Sequence, residues 1–146
     1  MERAPLRDKT FGKLTWDDTL DYWNGHADIP GVGPVRISVD SEDDPDISPE
    51  TAFDNARRAY RTLRDKEPAA RDFAAEALLD THNQAWNEGA PIDEAAFADK
   101  LTLEDISFHP DGSAELFYNA ADLFGGHTLI VTIDEDGTFD DAEIAG

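Results

Sequence analysis

Residues 122–133 read Asp-Leu-Phe-Gly-Gly-His-Thr-Leu-Ile-Val-Thr-Ile. A diglycine bend followed by an apolar, β-branched run describes a loop feeding a strand that packs on a core. The surroundings are acidic: no Lys or Arg follows Lys100, while the last 46 residues hold 11 Asp and Glu. Thr128 to Ile133 must therefore sit in a packed sheet whose wet side is strongly negative.

The neighbouring segments extend this into a meander. Ile106 and Phe108 alternate with Asp105, Ser107 and His109, and Pro110-Asp111-Gly112 supplies a turn. Glu115 to Tyr118 reads as the partner strand, Asp136-Gly137 as a hairpin signal, and Asp141 to Ile144 as a last short strand. Further back, Val35, Ile37 and Val39 alternate with Arg36, Ser38 and Asp40, a half-buried strand. Phe11 to Trp16 and Thr19 to Ile29 are rich in aromatic and β-branched residues, and Asn24-Gly25 suggests a tight turn within the second stretch.

Between these strands lies a helical centre. Ser48-Pro49-Glu50 combines a capping hydroxyl, a proline where its missing N–H costs nothing, and an acid at the positive end of the dipole. Phe53, Ala56, Tyr60 and Leu63 form one apolar stripe, with Arg57, Arg58, Arg61 and Arg64 opposite. The spacing predicts a second helix from Pro68 to about Asn87, with Phe73, Ala74, Ala77, Leu78, Thr81, Ala85 and Trp86 on one face. A short third helix starts near Asp93, with Phe97 and Leu101 turned inward. Strands, then two to three central helices, then strands predict an α+β fold: a mostly antiparallel sheet of about six strands with helices on one face. Residues 1–9 read as a flexible tail and 10–146 as a single domain, a size that can bury a core.

Composition narrows the function classes. The 146 residues carry 33 Asp and Glu against 12 Lys and Arg, a formal charge of −21. Such a surface repels nucleic acid, anionic lipid and acidic ligands. It suits adaptation to salt, a basic protein partner, or cation binding. Half of the basic residues fall between Arg57 and Arg71, where they can neutralise nearby carboxylates. With no cysteine there is no disulfide framework, thiolate nucleophile or thiolate metal site. The polar start, Glu2 to Asp8, has no apolar stretch behind it, and no run approaches the ~18 apolar residues of a membrane helix. A cytoplasmic protein is expected, as a monomer or small homo-oligomer, with no cofactor or metal assigned.

Asp122 to His127 is the strongest candidate site. Gly125-Gly126 permits close approach, and His127 beside Asp122 could act as a general base or a metal ligand, with His109 a further candidate. The same stretch also fits a tight strand connection. For binding, the candidates are Asp122, Phe124, Gly125, Gly126, His127 and Trp86. His26, His82, His109 and His127 form no His-x-x-x-His or His-x-Glu pattern, and His82 reads as a satisfied histidine at the core edge. Asp134-Glu135-Asp136-Gly137 lacks the spacing of a calcium loop. No nucleophile elbow, Walker loop or dinucleotide fingerprint is present.

One resemblance is carried by Trp86, by Phe97 with Lys100 and Leu101, and by His109-Pro110-Asp111-Gly112-Ser113. It continues through Asp122-Leu123-Phe124-Gly125-Gly126-His127 and the terminal Ala142-Glu143-Ile144-Ala145-Gly146. In these the chain resembles a bacterial family known as domain of unknown function 2262, over about Phe11 to Gly146. The family often carries a bulky aromatic where this chain has Gly125. The resemblance implies a bacterial-type single domain and no particular activity. Two functions are carried forward. One is a non-catalytic acidic module that binds or regulates a positively charged protein, immunity-like in the manner of toxin-neutralising proteins. The other is a small hydrolase or metal-assisted enzyme centred on Asp122 and His127.

Overall fold

A computed structural model describes residues 3–87 and 89–145. Its elements in chain order are β1 (Leu6–Asp8), β2 (Gly12–Asp17), β3 (Tyr22–Ile29), β4 (Gly33–Val39), α1 (Pro49–Thr81), a π-helical turn (His82–Trp86), α2 (Glu94–Asp99), β5 (Thr102–Phe108), β6 (Ala114–Asn119), β7 (Thr128–Ile133) and β8 (Phe139–Ala145). The fold is α+β. All strands join one sheet in sequential order β1 to β8. Every neighbouring pair is antiparallel except β4 and β5, which run parallel because the helical crossover separates them.

The sheet has eight strands rather than about six. One of the additional strands, β1, lies within the segment 1–9 read as a tail; it pairs Leu6 with Leu14 and Asp8 with Gly12. A three-residue strand leaves no periodicity to read. Its anchor is long-range: the Asp8 carboxylate accepts from the Arg57 guanidinium on α1 and from the N–H groups of Thr10 and Phe11. Asn24-Gly25 is not a turn but lies mid-strand in β3, opposite Thr15, Ser38 and Ile37. The glycine is there for space, since a Cβ on Gly25 would come within 2.6 Å of Leu14 Cδ2. The turn falls at Asp17–Asp21, where the Asp17 carboxylate caps the N–H groups of Thr19 and Leu20.

One face of strands β2 to β8 feeds a common core. Val35, Ile37 and Val39, then Leu103, Ile106 and Phe108, then Leu116 and Tyr118, then Leu129 and Val131, are all buried with Phe53, Leu63 and Phe97 of the helices. Ser48 caps α1 by accepting from Thr51 N, with Pro49 in the first turn. α1 then spans the sheet. Tyr60 donates to the Asp28 carbonyl on β3 at 2.6 Å, Glu67 meets Tyr118 on β6, and Phe73 packs on Phe139 of β8 with ring centroids 5.5 Å apart.

The two helices expected on either side of Pro68 are one continuous helix. Pro68 removes an N–H and deprives the Arg64 carbonyl of its partner. Both residues are exposed, so water can serve that carbonyl, while Glu67 and Ala70 are buried on the opposite side and hold the axis together. Further along, the sequence pattern also misplaces the inward face. Ala74, Ala75 and His82 are buried, but Ala77 and Thr81, still within α1, are exposed, and so are Ala85 and Trp86 within the wide turn from His82 to Trp86. No helix among the described residues is long and apolar enough to cross a membrane.

Candidate functional site

The C-terminal end of α1, its π-helical turn, the start of β5 and the 120–127 loop meet at one end of the sheet. Ala120 to His127 joins β6 to β7. Its shape is set by local bonds: Ala121 N donates to the Asn119 side chain, Leu123 N to Ala120 O, and His127 N to Phe124 O. Gly125 (φ 62°) and Gly126 (φ 87°) both take the left-handed conformation that turns the chain back into β7. Leu123 and Phe124 are pulled fully into the core.

Trp86 is the centre of what the loop surrounds. Its ring lies edge-to-face with Phe124 at 5.7 Å and with His127 at 5.6 Å, and it is 40% exposed. A Cβ on Gly125 would touch the indole at 3.4 Å, so the glycine lets the ring lie against the loop backbone. The binding candidates Asp122, Phe124, Gly125, Gly126, His127 and Trp86 thus belong to one loop-and-turn cluster, but Phe124 is fully buried and packs beneath Trp86 rather than facing a partner.

The candidate catalytic residues are arranged otherwise. The Asp122 carboxylate is 83% exposed and accepts from Lys100 Nζ at 3.0 Å. That lysine, by hydrogen bond and then by charge, holds the Asp122 carboxyl below the ordinary carboxylate range. Among the described residues Asp122 and His127 share no hydrogen bond. His109 sits beyond the opposite end of β6, roughly 20 Å away by strand length, where its Nε2 meets Glu115 at 2.9 Å. It does not join the loop.

His82 enters the cluster instead. Its ring is buried between Phe97 and Phe124, and Nδ1 donates to the Leu123 carbonyl at 2.7 Å. A carbonyl can only accept, so in the neutral ring Nε2 is the acceptor nitrogen. His82, Trp86, Lys100 and Asp122 line a surface cleft of about 540 Å³ together with Asn87, Ile92 and Leu123. Asn83 holds Ile92 in place by bonding both its N–H and its C=O.

Two of these participants, His82 and Lys100, are not in the sequence-derived site. Lys100 carries a signal in hindsight: it is the last cation before the acidic stretch, so it must find a carboxylate close by. His82 stands one turn before Trp86, but the π-helical turn that brings both rings against Phe124 leaves no mark in the sequence. Among the described residues no three His, Asp or Glu converge in a group that could hold a metal ion.

The family model described as "Uncharacterized protein conserved in bacteria (DUF2262)" matches residues 8–144. The chain belongs to that family. Comparison with curated proteins and with solved structures finds no match. In this DUF2262 member the matched span begins at Asp8, the residue that ties β1 to α1, and runs through β8.

Proposed function

We propose that this chain is a non-catalytic binding module that takes a positively charged protein partner, as toxin-neutralising proteins do, with Trp86 and the 122–127 loop as its contact. The observation that carries this is the state of the cleft's chemical groups. Asp122 is engaged by Lys100, His82 spends its protonated nitrogen on a backbone carbonyl, and His127 packs on the indole. What remains on offer is a large aromatic ring, clamped by two edge-to-face contacts and still 40% exposed. Rigid, half-buried tryptophans of this kind are favoured binding anchors. The formal charge of −21 selects for a basic partner and steers its approach.

Immobilised protein should retain a basic bacterial protein at low salt and release it at high salt, and Trp86→Ala should retain far less. Retention indifferent to salt and to Trp86 would refute the proposal. A small hydrolase built on Asp122 and His127 has one observation in its favour, the shared cleft of Asp122 and the His82 ring. It requires turnover that Asp122→Asn abolishes.

A further inference from the structure

The opposite end of the sheet carries a second concave feature, unconnected to the Trp86 cleft. There the β2–β3 turn and the loop after β4 enclose a cavity of about 470 Å³ lined by Trp16, Leu20, Asp21, Asp40, Glu42 and Asp43, and Arg3 enters it from the chain's start. The Arg3 guanidinium carbon sits over the Trp16 ring, 3.8 Å from its centroid. Both of its terminal nitrogens reach Glu42, one to each carboxylate oxygen. This is the arrangement by which proteins recognise arginine: an aromatic face for the delocalised cation and a carboxylate matching its fork.

The receptor side is built independently of Arg3. Trp16 is fixed edge-to-face against Trp23 at 5.2 Å. The Asp40 carboxylate accepts from the N–H groups of Glu42 and Asp43, and the Asp17 carboxylate from those of Thr19 and Leu20, so both rims are self-capped. Leu20, 58% exposed, adds an apolar lip. The Arg3–Glu42 pair is itself half-exposed, at 41% and 39% of the side chains. Ion pairs that wet hold weakly. Arg3 precedes β1 and belongs to no element, so little else ties it in place.

We propose that this cavity is a docking pocket for an arginine side chain of a positively charged protein, and that Arg3 occupies it in cis as a displaceable substitute. The proposal rests on the reading of a basic partner, but not on the Trp86 cleft.

The test is an NMR titration with a capped Gly-Arg-Gly peptide and its lysine counterpart. Arg3→Ala should bind the arginine peptide about fivefold tighter than the parent, because an internal competitor is gone. Arg7→Ala, an equal change of net charge at an exposed β1 residue, should leave binding as it was. Adding Glu42→Gln to Arg3→Ala should abolish the gain, the lysine peptide should bind more weakly, and Trp86→Ala should have no effect. Glu42 lies on an exposed loop, so its replacement tests the pocket without threatening the fold. Equal affinity of Arg3→Ala and Arg7→Ala, or a gain that survives Glu42→Gln, overturns the pocket. If the peptide fails while a captured basic protein still depends on Trp86, only the pocket falls; if both fail, the binding module falls with it.

Discussion

At the residue scale, the strongest polar commitment lies inside the core. Glu67 is 1% exposed, and its carboxylate accepts from Tyr118 Oη and from Arg71 Nε, each at 2.8 Å. Burial, reinforced by the Glu67 charge, pushes the Tyr118 hydroxyl far up, so it remains a donor at any ordinary pH. Tyr118→Phe strips one of two donors from a buried carboxylate and should cost about 1–3 kcal/mol in denaturant unfolding; unchanged stability would show that Arg71 alone suffices. Asp8 gives a pH signature. Burial alone would raise its carboxyl, but the Arg57 guanidinium and the N–H groups of Phe11 and Thr10 outweigh that and hold it below its ordinary value of 3.8. The folded state therefore binds this proton less readily than the unfolded chain. Its contribution is complete above the ordinary carboxylate range and is lost as pH falls through the depressed value. Asp8→Asn should lower stability by about 1–3 kcal/mol at neutral pH, with the gap to the parent closing in acid. A gap that stays constant with pH would contradict the linkage.

At the element scale, legibility followed locality. Val35, Ile37 and Val39 could be read as a half-buried strand because alternation alone decides them, and the cap at Ser48 could be read because it acts three residues away, on Thr51 N. β1 could not, since its anchor comes from Arg57 on a distant helix. Nor could the fate of Pro68, because a proline breaks a helix unless burial on both sides overrules it, and that burial is tertiary. Asn24-Gly25 misled for a related reason: the dipeptide suits a turn, but here the glycine makes room for Leu14. The loop at Gly125-Gly126 was readable as a bend, while the pairing of Asp122 with Lys100 rather than His127 depends on where β5 starts. Pro68→Ala tests the continuous helix. It restores an N–H to the Arg64 carbonyl at an exposed position and should stabilise the fold by about 2 kcal/mol, after allowing for the looser unfolded chain. Loss of stability in chemical denaturation would mean that the proline shapes the helix usefully.

At the scale of the whole molecule, several of the cations are already engaged within the fold. Arg57 serves Asp8 and Asp54, Arg71 serves Glu67, Lys66 reaches the Gly137 carbonyl, and Lys100 serves Asp122. The long helix thus gathers much of the positive charge, and the field beyond it stays negative. That field and the exposed indole together define the proposed partner: a basic protein with a pocket for Trp86. The most direct measurement is the affinity of the captured partner for the parent and for Trp86→Ala by titration calorimetry, at about 50 mM and about 500 mM salt. The expected result is a loss of about thirtyfold or more for Trp86→Ala, measured at a temperature where both proteins are fully folded, with parent binding weakened at the higher salt. Equal affinity of the two proteins, or binding that ignores salt, would contradict it.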